Sequence, residues 1–321
     1  MRIVVMGTGG FVVPAFKLLL ESDHDILAVV TRPEKLARGG RRPPPNPMRQ
    51  AADGIDIPLL DPANVNDEAF VQQLTEMQPD LLVVCDFGQI LSAETLSSAP
   101  LGGINLHGSL LPAYRGAAPV QWAIINGDPV TGITVIHMTP LLDGGPTLIK
   151  IETKIQPDES AVDLENRLAE IGAPAVLDSI SMLENWDRST PIGESQDDTR
   201  STRAPRLAKS DGNIDWNATT AEILNRHRGV QPWPGSFTFC NRENGKPLRL
   251  LIGEIRLVDG ECGVPGSLID NQFKELWIAT DDGVVAIEQV QPAGKRTMTA
   301  DEFLRGYQIK PGTLFSQSSD G

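Results

Sequence analysis

The feature that most constrains the fold is a series of short, almost uninterrupted aliphatic runs spaced by helix-length stretches. Ile3–Met6, Ile26–Val30, Leu81–Cys85 and Gly103–Leu106 are each strand-length and none alternates cleanly between apolar and polar residues. A strand solvated on one face alternates, whereas a strand covered on both faces does not. The pattern predicts an α/β first domain: a Rossmann-like, mostly parallel sheet with helices on both faces. Ile133–Met138 and Thr147–Thr153 read as later strands, and Ala161–Trp186 carries a long helical period.

We place this first domain at residues 1–187. Residues 188–206 are rich in Ser, Thr, Asp, Pro and Arg and lose all apolar periodicity, so their composition reads as a linker. Short runs follow at Leu248–Ile255, Leu276–Ala279 and Val284–Val290, with Gly and Asp between them. They predict a smaller C-terminal β-barrel, OB-like, over residues 207–315, with 316–321 as a disordered tail.

The apolar start ends at Gly7, and no run approaches the ~18 apolar residues of a membrane span, so a cytoplasmic protein is expected. The cysteines Cys85, Cys240 and Cys262 form no CxxC pair, which argues against both a disulfide framework and a cysteine-built zinc site. No metal is expected. Lys and Arg number 28 against 42 Asp and Glu, a net charge of −14. That balance argues against a protein that coats nucleic acid without specificity. One stretch reverses it: Thr31–Arg49 holds Arg32, Lys35, Arg38, Arg41, Arg42 and Arg49 against the single acid Glu34. Gly39-Gly40 and Pro43-Pro44-Pro45 make it an exposed loop.

The turn Gly7-Thr8-Gly9-Gly10-Phe11-Val12 has two glycines of a dinucleotide fingerprint, but Val12 stands where the third belongs. Arg32 rather than an acid ends the second strand, so a tight strand-to-helix turn is the better reading. Asn105-Leu106-His107-Gly108-Ser109-Leu110-Leu111-Pro112 is richer. Asn105 and His107 point the same way from a strand end, and an amide beside an imidazole suits an oxyanion formed in acyl transfer. Asp143, in Leu142-Asp143-Gly144-Gly145-Pro146, sits on a loop open enough to approach a histidine and fix its tautomer.

These residues carry a resemblance. Asn105 to Pro112, Arg115-Gly116-Ala117-Ala118-Pro119 and the Asp143 loop are similar to those of the folate-dependent formyltransferases. The likeness extends through Ile214-Asp215-Trp216, Gln231-Pro232-Trp233-Pro234 and Gln291-Pro292-Ala293-Gly294-Lys295, and so spans nearly the whole chain. The Arg-Gly-Ala-Ala-Pro segment and the second domain resemble the branch that acts on initiator tRNA.

The resemblance implies transfer of a formyl group from 10-formyltetrahydrofolate, as co-substrate, to the α-amine of methionine on initiator methionyl-tRNA. An amino sugar nucleotide or another small amine is the alternative acceptor. It implies Asn105, His107 and Asp143 as the catalytic set. Ser109, Leu110, Leu111 and Pro112 would lie against the folate, with Phe87, Gly88, Gln89, Ile90 and Leu91 forming the pteridine pocket. Arg38, Arg41, Arg42, Arg206, Lys209 and Lys295 are the expected RNA contacts, and a monomer is expected. The chain departs from the family pattern at Gly9, at Asp86-Phe87-Gly88, and at Asp143-Gly144-Gly145-Pro146.

Overall fold

The computed structural model describes residues 1–34, 46–242, 246–271 and 275–318. Arg38, Arg41 and Arg42 lie outside the described residues, as do 319–321 of the expected tail. The chain divides into two compact units. Unit 1 comprises Met1–Val120, Val130–Ile155 and Asp163–Pro205; unit 2 comprises Gln121–Pro129, Gln156–Val162 and Arg206–Gly321.

Unit 1 is built on strands β1 (Arg2–Gly7), β2 (Asp25–Val30), β3 (Leu59–Leu60), β4 (Leu81–Cys85), β5 (Gly103–His107), β7 (Val130–His137) and β8 (Thr147–Lys154). They form one sheet in the order β3-β2-β1-β4-β5-β7-β8. The five strands from β3 to β5 are parallel; β7 and β8 add antiparallel at the β5 edge. Order reverses between β1 and β4, and ligands of open α/β sheets bind beyond the strand ends at such a switch point. The short strand β6 (Arg115–Gly116) pairs in parallel with β9 (Arg203–Ala204) in a separate ribbon.

The two faces of β5 do different work. Val84 pairs with Asn105, so Asn105 and His107 share the face of Val84, Leu82, Val4 and Met6. On that face these four pack with Phe70 and Leu74 of helix α3 (Glu68–Met77) and Leu96 of α4 (Ala93–Leu96). Leu106 faces the other way, against α6 (Ala161–Glu184): a Cβ on Gly172 would lie 2.7 Å from a Leu106 methyl. The turn into α1 (Val13–Leu20) is tight for a similar reason. Gly9 stands where a Cβ would meet Asp86 Oδ2 at 1.7 Å, which accounts for this glycine without a dinucleotide. Helices α2 (Pro47–Ala52) and α5 (Pro119–Ile125) complete the α elements of the first half.

Residues 188–206, whose composition suggests a linker, are strapped onto unit 1. Glu194 exchanges two main-chain hydrogen bonds with Thr147, and Thr202 N–H donates to the Pro112 carbonyl. Polar residues gave no apolar signal here because the strap is held by hydrogen bonds.

Unit 2 contains the capped helix α7 (Thr220–Gly229), where Thr219 and Glu222 form a reciprocal capping box. Strands β10 (Phe237–Cys240), β11 (Leu248–Ile252), β12 (Ile255–Val258), β13 (Leu276–Ala279), β14 (Val284–Ile287), β15 (Gln289–Pro292), β16 (Met298–Thr299) and β17 (Phe315–Ser316) are antiparallel, and α8 (Ala300–Tyr307) follows β16. The pairings run round a ring: β10 joins β11, β11 joins β15, β14 joins β13, and Ser267 and Leu268 bridge β13 to the segment entering β17, which returns to β10. Each of the two longer runs, 248–255 and 284–290, breaks into a pair of strands. Ile214 and Trp216 of the Ile-Asp-Trp motif belong to the core of this ring, and the Trp216 indole donates to Thr238 Oγ1 at 2.9 Å.

His227 of α7 gives unit 2 a pH signature. Its Nδ1 meets Ser236 Oγ at 3.0 Å, and burial holds the imidazole down at about 4, partly offset by the Gly253 main chain. The unfolded chain takes up a proton near the ordinary 6.5 while the folded one does not. Stability should therefore fall as pH drops from about 6.5 to about 4, by at most on the order of 3 kcal/mol, and level off below. Denaturant unfolding across that window should show a shallower slope for His227→Gln; identical slopes would contradict the assignment.

Candidate active site

Asn105 and His107 project from β5 between β4 and β7. The residue after His107 must leave the strand without a side chain, since a Cβ on Gly108 would meet Val120 at 2.9 Å. The loop then folds back on β7. Thr134 Oγ1 donates to the Ser109 carbonyl at 2.7 Å and accepts from Leu111 N–H at 3.1 Å, while Ser109 Oγ donates to the Ala113 carbonyl at 2.7 Å. His107 is nearly buried, and its Nε2 lies 2.9 Å from the Tyr114 carbonyl. A carbonyl only accepts, so Nε2 carries the hydrogen and Nδ1 is the ring nitrogen left to face Asp143.

Asp143 Oδ1 stands 3.8 Å from that Nδ1, with side chains 6% exposed for His107 and 12% for Asp143. The other carboxylate oxygen accepts the Gly116 N–H at 2.8 Å. The separation exceeds a direct hydrogen bond, a looseness common in sites that tighten around substrate. The structure thus brings all three expected catalytic residues to one place, with a change in emphasis. Both His107 nitrogens already have facing groups, whereas the Asn105 carboxamide makes no hydrogen bond among the described residues. Asn105 is the donor best placed to meet a new oxygen.

The expected folate residues divide. Leu110 and Pro112 are half-buried, but Ser109 and Leu111 are fully buried, so their side chains support the loop. In the second segment Phe87 and Leu91 belong to the core, Gln89 accepts the Val65 N–H at 2.9 Å, and Ile90 is exposed. Gly88, at φ +74°, offers its carbonyl to Arg32. The carbonyls of Asp86, Phe87, Gly88 and Ile90 are taken by Thr8, Arg32 and Asn66. Cys85, just before it, is no nucleophile: burial, then the Asp86 and Glu165 charges, push its thiol well up. Among the described residues no His, Cys, Asp and Glu cluster is placed to hold a metal, and no helix is long and apolar enough to cross a membrane.

The cations sort by partner. Arg32 is bonded to Gly88, Arg49 pairs with Asp61 and Glu34, Arg296 pairs with Glu302, and Arg228 donates to the Gln156 and Glu159 carbonyls and Asn225. Arg203, Arg206, Lys209 and Lys295 are exposed and make no ion pair among the described residues. Sequence reasoning missed Gln196, which donates to the Asp143 and Gly145 carbonyls, both at 2.7 Å, and accepts from Arg115. A glutamine inside a polar stretch carries no periodic signal that would find it.

Residues 1–180 match the formyl transferase family, and residues 206–308 match the formyl transferase C-terminal domain. Fold and site together define a two-domain formyl transferase. A methionyl-tRNA formyltransferase of Rhodopirellula baltica is 46% identical over 320 residues, covering 97% of this chain and 96% of its own. At this identity and coverage, the chain belongs to the methionyl-tRNA formyltransferase family. Two solved structures share the fold at 16% identity. HypX from Aquifex aeolicus, in complex with tetrahydrofolic acid, gives a TM-score of 0.63 over 97% of this chain, which spans 48% of HypX. An N-formyltransferase from Helicobacter canadensis, in complex with folinic acid and dTDP-3-aminofucose, gives 0.63 over 91% of this chain and 99% of its own.

Gly116 tests the carboxylate's anchor. It sits at φ +132°, and a Cβ there would meet the Ala204 carbonyl at 2.4 Å. Gly116→Ala should pull β6 from β9, move the N–H that holds Asp143, destabilise by about 1–3 kcal/mol and cut turnover at least about tenfold. Thermal unfolding with turnover reads both; wild-type values would contradict the anchor.

Proposed function

We propose that the chain transfers the formyl group of 10-formyltetrahydrofolate to the α-amine of methionine carried by initiator tRNA, in the cytoplasm, as a step of translation initiation. The observation that carries the reading is the unengaged Asn105 carboxamide beside a His107–Asp143 pair held by main chain. The residues present fit a folate in their apolar surface, supplied by exposed Ile90 and half-buried Leu110 and Pro112. When bound, the folate supplies a formyl carbon already bonded to a nitrogen leaving group.

In this reading the methionine amine forms the new bond to that carbon while the carbon–folate nitrogen bond breaks. Asn105 donates to the formyl oxygen as negative charge builds there, a donor whose loss typically costs ~10²–10³ in rate. Asp143 receives the proton the amine loses and returns it to the departing nitrogen, a contribution of ~10²–10⁴. His107, its ring pinned by the Tyr114 carbonyl through Nε2, steadies that carboxylate when Nδ1 also carries a hydrogen. Atoms balance without a covalent enzyme intermediate. Arg203, Arg206, Lys209 and Lys295, together with Arg38, Arg41 and Arg42, are the groups proposed for the RNA phosphates.

The acceptor is tested by supplying 10-formyltetrahydrofolate with methionyl-tRNA, glycinamide ribonucleotide or an amino sugar nucleotide. Transfer to methionyl-tRNA is expected, and His107→Ala should abolish it while RNA binding survives. Transfer to a small amine alone, or near wild-type turnover in His107→Ala, would overturn the reading.

A further inference from the structure

We propose that Gln196 is a positioning residue for formyl transfer, holding the Asp143 carboxylate in register with His107. Its Nε2 sits 2.7 Å from the Asp143 carbonyl and 2.7 Å from the Gly145 carbonyl, so both amide hydrogens enter the loop that carries the acid. Its Oε1 accepts from Arg115 Nε at 3.1 Å and Nη2 at 2.7 Å. The orientation of the amide is unambiguous: carbonyls only accept and a guanidinium only donates, so the nitrogen must face the loop and the oxygen must face Arg115. Arg115 is itself fixed by Asp198 Oδ1 at 2.7 Å.

The loop needs such a brace. Asp143 adopts φ +49°, a left-handed conformation that surrounding contacts must maintain in a residue with a side chain. On its inner side the loop is pressed against β7, where a Cβ on Gly145 would lie 1.9 Å from the His137 carbonyl. Gln196 closes the other side. Two independent supports therefore set Asp143: the Gly116 N–H fixes one carboxylate oxygen, and Gln196 fixes the backbone behind it. Gln196 touches neither His107 nor the carboxylate, so it acts through geometry alone. Gln196, Asp198 and exposed Arg203 all lie on the strap of residues 188–206, so the segment that would meet an RNA acceptor also holds the acid in place.

The inference rests on the reading of Asp143 as catalytic, and the test separates the two. Gln196→Glu is nearly isosteric and keeps an acceptor for Arg115, but replaces a donor with a carboxylate facing two carbonyls. Gln196→Ala removes both. Each should lower kcat by roughly 10- to 100-fold while leaving both KM values within about twofold, as expected when a reacting group is misplaced by about 1 Å. Thermal unfolding should show Gln196→Glu folded, and the ring nitrogen NMR signals of His107 should shift in the substrate-free enzyme. In an Asp143→Asn background, either substitution should add no further loss. Wild-type kcat in Gln196→Glu and Gln196→Ala beside an impaired Asp143→Asn overturns this inference alone, as do fully additive losses. Wild-type turnover in Asp143→Asn overturns the reading of the site and this inference with it.

Discussion

The arrangement depends on how one nearly buried carboxylate is held. Asp143 spends one oxygen on the Gly116 N–H and turns the other to His107, whose far nitrogen is tied to the Tyr114 carbonyl. Placing a carboxylate there needs a left-handed residue in a glycine loop, a strap that pairs β9 to β6, and a β5 flanked by β4 and β7. The two faces of β5 differ: Leu106 buries against α6, and Asn105 and His107 share the opposite face. Asp143 and His107 each hold a main-chain partner, whereas the Asn105 amide makes no hydrogen bond among the described residues.

Charge acquires a more local meaning from the same structure. A net −14 argues against broad nucleic-acid binding, and several of the basic residues are engaged within the chain. Arg32, Arg49, Arg228 and Arg296 serve carbonyls or acids of the chain itself. Arg203, Arg206, Lys209 and Lys295 lack acidic partners among the described residues. Cations without acidic partners are the groups of such a chain that an anionic partner can meet.

Much of unit 1 was legible because its determinants are periodic. Doubly buried strands announce themselves as aliphatic runs, and a two-residue spacing places Asn105 and His107 on one face. What was illegible has no period. Gln196 and Thr202 work through hydrogen bonds to main chain, and their polar neighbourhood reads as a linker. The stretches Gln121–Pro129 and Gln156–Val162 cluster with unit 2 although they lie far from it in sequence, which a linear reading cannot detect. Sequence shows the charge of Arg228 but not the two carbonyls that occupy it. Ser109 and Leu111 matched a motif whose fold buries them.

The most direct measurement is the single-turnover rate of formyl transfer to methionyl-tRNA, with folate and RNA both saturating, in wild type and Asp143→Asn. The asparagine keeps the shape and can still accept the Gly116 N–H, but it has no charge to face His107 and no site for the proton. The rate is expected to fall by at least ~10² with folate affinity unchanged. A wild-type rate in Asp143→Asn would contradict the account.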